Sequence, residues 1–89
     1  MPQLDCEIIN KLGLHARAAA KLVTLASQFD SDIQIGRNGQ KVNGKSIMGV
    51  MLLAASKGST ITVYADGGDA DQAVQQIGDL IARRFEEAE

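Results

Sequence analysis

His15 is the only histidine in the chain, and it stands in the run Gly13-Leu14-His15-Ala16-Arg17. A helical pattern starts directly after it. A neutral imidazole at a helix start can attack phosphorus and then carry the phosphoryl group as an anion. The unpaired N–H groups and the dipole of the helix disfavour an imidazolium there. After attachment, the backbone N–H groups of Ala16 and Arg17 become a cradle for the phosphate oxygens. The Arg17 guanidinium can swing toward that phosphate or toward an acidic group of a partner. Gly13 gives the loop freedom to expose the ring, and the small residues Ala16, Ala18, Ala19 and Ala20 leave room for a partner surface. The competing reading is a solvent-exposed histidine that only ends a loop, and position alone does not exclude it.

A second segment invites a different chemistry. Gly39-Gln40-Lys41-Val42-Asn43-Gly44-Lys45-Ser46 matches the phosphate-loop pattern G-x-x-x-x-G-K-S letter for letter, which would make the chain a small nucleotide-binding enzyme. The context argues against it. A phosphate loop leaves a buried parallel strand, whereas Asn38-Gly39 is the pair favoured in a two-residue hairpin and Gln40 to Val42 reads as a short strand. The chain is also short for such a domain, and no apolar strand ends in a magnesium-binding aspartate. Ser46 reads instead as the N-cap of a short helix, a role whose loss costs about 1 kcal/mol. Ile47-Met48-Gly49-Val50-Met51-Leu52-Leu53 is apolar nearly all round, more than one buried face needs. Methionine suits adaptable contact surfaces, so one side of this helix is expected to meet a partner.

The elements that must position these residues follow from periodicity. Leu4, Cys6 and Ile8 alternate with Asp5 and Glu7 as a half-buried strand, with Cys6 expected as a buried thiol. Ala19, Leu22, Val23, Ala26 and Phe29 form one face of a helix ending near residues 28–30, opposite Arg17, Lys21, Thr24 and Gln28. Ile33 and Ile35 mark a second strand, paired as a hairpin with residues 40–42. Ile61, Val63 and Ala65 alternate with Thr60, Thr62 and Tyr64 as a fourth strand. Asp69 with Gln72 three residues on has the form of a capping box. Ala73, Val74, Ile77, Leu80 and Ile81 give that helix its buried face, with Gly78 on the same face allowing close packing. The order β-α-β-β-α-β-α with amphipathic helices predicts an open-faced α+β sandwich.

Composition sets outer bounds. Eighty-nine residues fit one domain, 1–89, whose core must be built from aliphatic side chains because aromatics are 3% of the sequence. A net charge of −2 and so few aromatics speak against nucleic-acid binding. No apolar run reaches the ~20 residues of a membrane span, so no membrane insertion is expected. The N-terminus has neither the basic nor the apolar region of a secretion signal, and a cytoplasmic location is the expectation. One histidine and one cysteine in separate elements make no metal-ligand set, and no cofactor is implied.

The run Gly13-Leu14-His15-Ala16-Arg17, together with Asn43-Gly44-Lys45-Ser46-Ile47-Met48-Gly49-Val50-Met51, closely resembles the HPr family, the histidine-containing phosphocarriers of the bacterial phosphotransferase system. The resemblance covers nearly the whole chain, including the order of elements. It implies an HPr-like four-stranded antiparallel sheet covered on one face by three helices, in a monomer. It implies that His15 accepts phosphate on Nδ1 from phosphorylated Enzyme I, whose own donor is phosphoenolpyruvate, and passes it to a IIA-type protein. It implies that Ser46 is a regulatory site for an HPr kinase/phosphorylase, and that Ile47, Met48 and Met51 dock Enzyme I and IIA partners. Many sugar-branch members have a proline after the motif arginine. Ala18 stands there in this chain, so the sugar branch and the nitrogen branch both remain open. A purely regulatory binding module acting through phospho-Ser46 is the other reading within reach.

Overall fold

A computed structural model of the chain describes residues 2–86. The elements run β1 (Gln3–Glu7), α1 (Ala16–Ala26), β2 (Asp32–Arg37), β3 (Gln40–Asn43), α2 (Ile47–Leu52), β4 (Thr60–Asp66) and α3 (Ala70–Ala82). All pairings are antiparallel, and the strand order is β1-β4-β2-β3. The last strand in sequence therefore lies inside the sheet. Its register places Val63 beside Leu4 and Ile35, and Ile61 beside Cys6. These residues share one face, since side chains alternate along a strand. The helices cover that face, with Leu22 of α1, Val50 of α2 and Ile77 of α3 fully buried against it. Thr62, Tyr64, Asp5, Gln34 and Lys41 point the other way, where the Thr62 hydroxyl donates to Asp5 at 2.7 Å and the Lys41 ammonium sits 4.2 Å from the Tyr64 ring centre.

The Asn38-Gly39 turn joins β2 and β3 in the two-residue form expected from sequence, with φ of 52° and 81°. Four local expectations are corrected. Helix α1 stops at Ala26, and Phe29 reaches the core from the turns beyond it. Leu4 is 40% exposed because β1 is an edge strand, although it still covers Gly78, where a Cβ would lie 2.6 Å from Leu4 Cδ2. Cys6 is half-buried for the same reason; burial and the neighbouring Asp5 charge raise its thiol above the ordinary value.

The fourth correction concerns Asp69, which makes no side-chain cap on α3. Its carboxylate accepts instead from the Asp30 N–H at 2.9 Å, the Ser31 N–H at 3.0 Å and the Ser31 hydroxyl. These donors hold its carboxyl below the usual carboxylate range, the Ser31 hydroxyl contributing most. The residue thus ties the start of α3 to the loop before β2. From its sequence the tail Glu86-Glu87-Ala88-Glu89 is expected to fray, and residues 87–89 of it lie outside the described residues. Just before it, Arg84, Phe85 and Glu86 adopt left-handed backbone, which turns the Phe85 ring into the core. The Lys21 ammonium donates to the Phe85 carbonyl at 2.7 Å.

Candidate functional site

His15 is the N-cap of α1, with extended backbone (φ −78°, ψ −180°). Its carbonyl accepts the first intrahelical bond, from Ala19 N–H at 2.8 Å. Its ring folds back over the first turn, so that Nδ1 accepts from the Arg17 N–H at 3.3 Å. The imidazole therefore takes the place that a serine or aspartate oxygen fills in an ordinary N-cap. A nitrogen that accepts this bond carries no proton, which puts the proton of the neutral ring on Nε2. Nδ1 then keeps an in-plane lone pair, directed at the first turn of the helix. Ala16 and Arg17 are exposed, whereas Ala18 and Ala19 are buried beneath them. The unpaired peptide N–H groups of the first turn point out of the N-terminal end of the helix, where the Arg17 N–H meets Nδ1.

The loop before the helix is fixed from two sides. Gly13 N–H donates to Asn10 O at 3.2 Å, and Asn10 Nδ2 donates to Gly13 O at 2.8 Å. Leu14 N–H donates to Ala55 O at 2.8 Å, and Leu14 is buried. Gly13 needs its positive φ of 68° and its missing side chain, since a Cβ there would lie 2.7 Å from Ala55 O and 2.9 Å from Ser56 Cα.

Ala55 follows α2, so the bond from Leu14 brings the second sequence motif to the first, and α1 and α2 also pack together. Ser46 is the N-cap of α2, its hydroxyl accepting from Gly49 N–H at 3.1 Å. At the other end the Arg37 guanidinium donates to Leu53 O at 3.0 Å, a favourable place for a cation. Val50 and Leu53 face the core. Ile47 (44%), Met48 (78%) and Met51 (42%) are all exposed. Leu52 of the same apolar run is also exposed, at 68%, and so is Leu12 in the loop before α1, at 67%, a residue that the sequence pattern did not single out. Leu12 belongs to no periodic run, and its only sequence signal is an apolar residue inside the loop Asn10-Lys11-Leu12-Gly13.

Charge is segregated along the chain. Residues 8–29 and 33–65 contain no Asp or Glu, yet they hold Lys11, Arg17, Lys21, Arg37, Lys41, Lys45 and Lys57. The phosphate-loop look-alike is dispersed over a hairpin turn, strand β3 and a helix cap. Its lysine, Lys45, donates to Phe29 O at 2.7 Å. Among the described residues, no group of three or more His, Cys, Asp or Glu side chains could hold a metal. No helix among them is long and apolar enough to cross a membrane.

Fold and site together define an open-faced α+β sandwich that displays a histidine at a helix N-cap beside an exposed apolar helix. The family model described as "PTS HPr component phosphorylation site" matches residues 3–83. The phosphocarrier protein HPr of Cupriavidus necator is 56% identical over 89 residues, covering the whole of both chains. That of Pseudomonas aeruginosa is 49% identical over 90 residues, again with both chains fully covered. The crystal structure of HPr-C-His from Thermoanaerobacter tengcongensis superposes with a TM-score of 0.96 at 44% identity over the whole of both chains. The chain belongs to the HPr family, the phosphocarrier proteins of the bacterial phosphotransferase system.

Proposed function

We propose that His15 is the phosphoryl-carrying residue, loaded by phospho-Enzyme I and discharged to IIA-type proteins. The observation that carries this reading is the Nδ1 lone pair held over the first turn of α1, in contact with the Arg17 N–H. Attack through Nδ1 exchanges that weak 3.3 Å bond for a bond to phosphorus as the bond from phosphorus to the donor group of phospho-Enzyme I breaks, the donor leaving with that electron pair, while Nε2 keeps its proton. The Ala16 and Arg17 N–H groups then donate to the new phosphate oxygens, and the Arg17 guanidinium balances their charge. Backbone donors at a solvent-facing helix end stabilise the phosphate without enclosing it, which suits a group that must leave again. Ile47, Met48 and Met51 form the docking surface, and Arg37 at the end of the same helix favours an acidic partner. The carrier works in this reading as a cytoplasmic monomer.

Ser46 is the regulatory site of the same reading. A phosphate there adds about −1.5 to −2 charge at the head of the docking helix. It repels an acidic partner while leaving the fold in place, since a helix N-terminus tolerates an anion. Incubation with Enzyme I and labelled phosphoenolpyruvate tests the proposal. The label should be acid-labile and absent from His15→Ala. Retention of label by His15→Ala would refute the assignment. Labelling only with ATP and a kinase, lost in Ser46→Ala, would favour the regulatory module instead.

A further inference from the structure

Asn10 lies five residues before His15 and is fully buried. A carboxamide is expensive to bury and is retained only where it makes hydrogen bonds. Here both polar groups of the Gly13 backbone are held by this one residue. The Asn10 backbone carbonyl takes the Gly13 N–H, a bond any residue here could make, and its side chain adds the second bond, Nδ2 donating to the Gly13 carbonyl. The next amide, Leu14 N–H, is held by Ala55 O. The peptides on both sides of Gly13 are thereby fixed immediately before the chain enters α1 at His15. An apolar residue could fill the same volume without the cost of burying a carboxamide. What Asn10 adds is the orientation of the Gly13 peptide, and with it the direction from which the chain enters the N-cap.

We propose that Asn10 is a positioning residue for phosphoryl transfer: by bracing Gly13 from inside the core, it holds His15 where Nδ1 rests on the Arg17 N–H and can exchange that bond for one to the incoming phosphorus. The proposal rests on His15 being the phosphoacceptor. Attack requires Nδ1 and phosphorus about 3–3.5 Å apart with the lone pair aligned, and a displacement near 1 Å costs on the order of 100-fold in rate. The docking helix stands on other contacts, its own cap at Ser46 and the Arg37 bond to Leu53 O. Loss of Asn10 should therefore lower kcat and spare KM for Enzyme I.

The test uses Asn10→Ala and Asn10→Leu, which keeps the branching of the side chain but removes its polar atoms, with Ile77→Val on α3 as a core variant. Transfer from phospho-Enzyme I is measured at a temperature where circular dichroism shows each variant folded. NMR follows the His15 Nδ1 and Arg17 amide nitrogen shifts in parallel. We expect kcat to fall about 10- to 100-fold in both Asn10 variants, with KM within about twofold of wild type. Both shifts should move, and Ile77→Val should change none of these. If Asn10→Ala does not fold, Asn10→Leu carries the comparison. Wild-type kcat in a folded Asn10 variant, or a loss no larger than in Ile77→Val, overturns the proposal. If the wild-type chain itself takes no label, the phosphoacceptor reading fails. The shifts then judge Asn10 separately: unchanged Nδ1 and Arg17 resonances overturn its positioning role, and displaced ones support it.

Discussion

Gly13 and Gly39 both have left-handed backbone, with φ of 68° and 81°, yet their surroundings differ. A Cβ at Gly39 would meet nothing within 4 Å, whereas one at Gly13 would collide with backbone at Ala55 and Ser56. Gly39→Ala should therefore show only the cost of left-handed backbone, about 1–2 kcal/mol. Gly13→Ala incurs that cost and must also push the 55–56 segment away. The Leu14 N–H to Ala55 O bond then lengthens or breaks, leaving a buried amide unpaired at a further cost of about 1–3 kcal/mol. The sum is about 2–5 kcal/mol, a large part of the stability of a small protein. At about 4–8 °C per kcal/mol for a chain of this size, Gly13→Ala should lower Tm by roughly twice as much as Gly39→Ala, or more. Urea denaturation of the three proteins, followed by far-ultraviolet circular dichroism, measures the difference. Transfer from Enzyme I, assayed where all are folded, should fall only in Gly13→Ala. Equal loss of stability in the two variants would refute the reasoning, because it would mean that contact with the 55–56 segment carries no energy.

Three further outcomes follow from the same contacts. The Asp69 carboxyl is held below its ordinary value in the fold, so its contribution is present above the unfolded carboxyl value near ~3.9 and is lost as pH falls through the lower folded one. Asp69→Ala should thus be less stable than wild type at pH 7, and urea titrations repeated below about pH 3 should show the gap closing. Ser46→Ala should lose about 1 kcal/mol with the cap on Gly49, read from thermal melting. Ser46→Asp should remain folded, and calorimetric titration should show weaker binding to Enzyme I. Met48→Asp, at a 78% exposed position, should change stability by no more than about 0.5 kcal/mol yet raise KM for Enzyme I in the transfer assay.

Much of this fold is legible in local pattern. Period-2 alternation around Ile61 and Val63, the Asn38-Gly39 pair and Ser46 ahead of an apolar run each act within a few residues, where the backbone preferences of single residues decide the outcome. Helix α1 shows where such reasoning reaches its limit. Phe29 fits the helical period of Leu22 and Ala26, but it is buried from a turn, because the core accepts an aromatic ring from any backbone that delivers it. Asp69 fits a capping box, yet its oxygens serve donors on Asp30 and Ser31, which are distant in sequence and adjacent in space.

The sequence by itself determined the elements, the N-cap position of His15 and the two motifs that mark the family, since all of these rest on neighbouring residues. The tertiary structure alone decided that β4 lies between β1 and β2, and that Leu52 on α2 and Leu12 in the loop before α1 stand exposed. It alone decided that a buried Asn10 holds the loop before the histidine. The physical reason is the same in each case. Strand order, exposure and long-range hydrogen bonds depend on which surfaces the whole chain can bury at once, and no window of consecutive residues contains that sum.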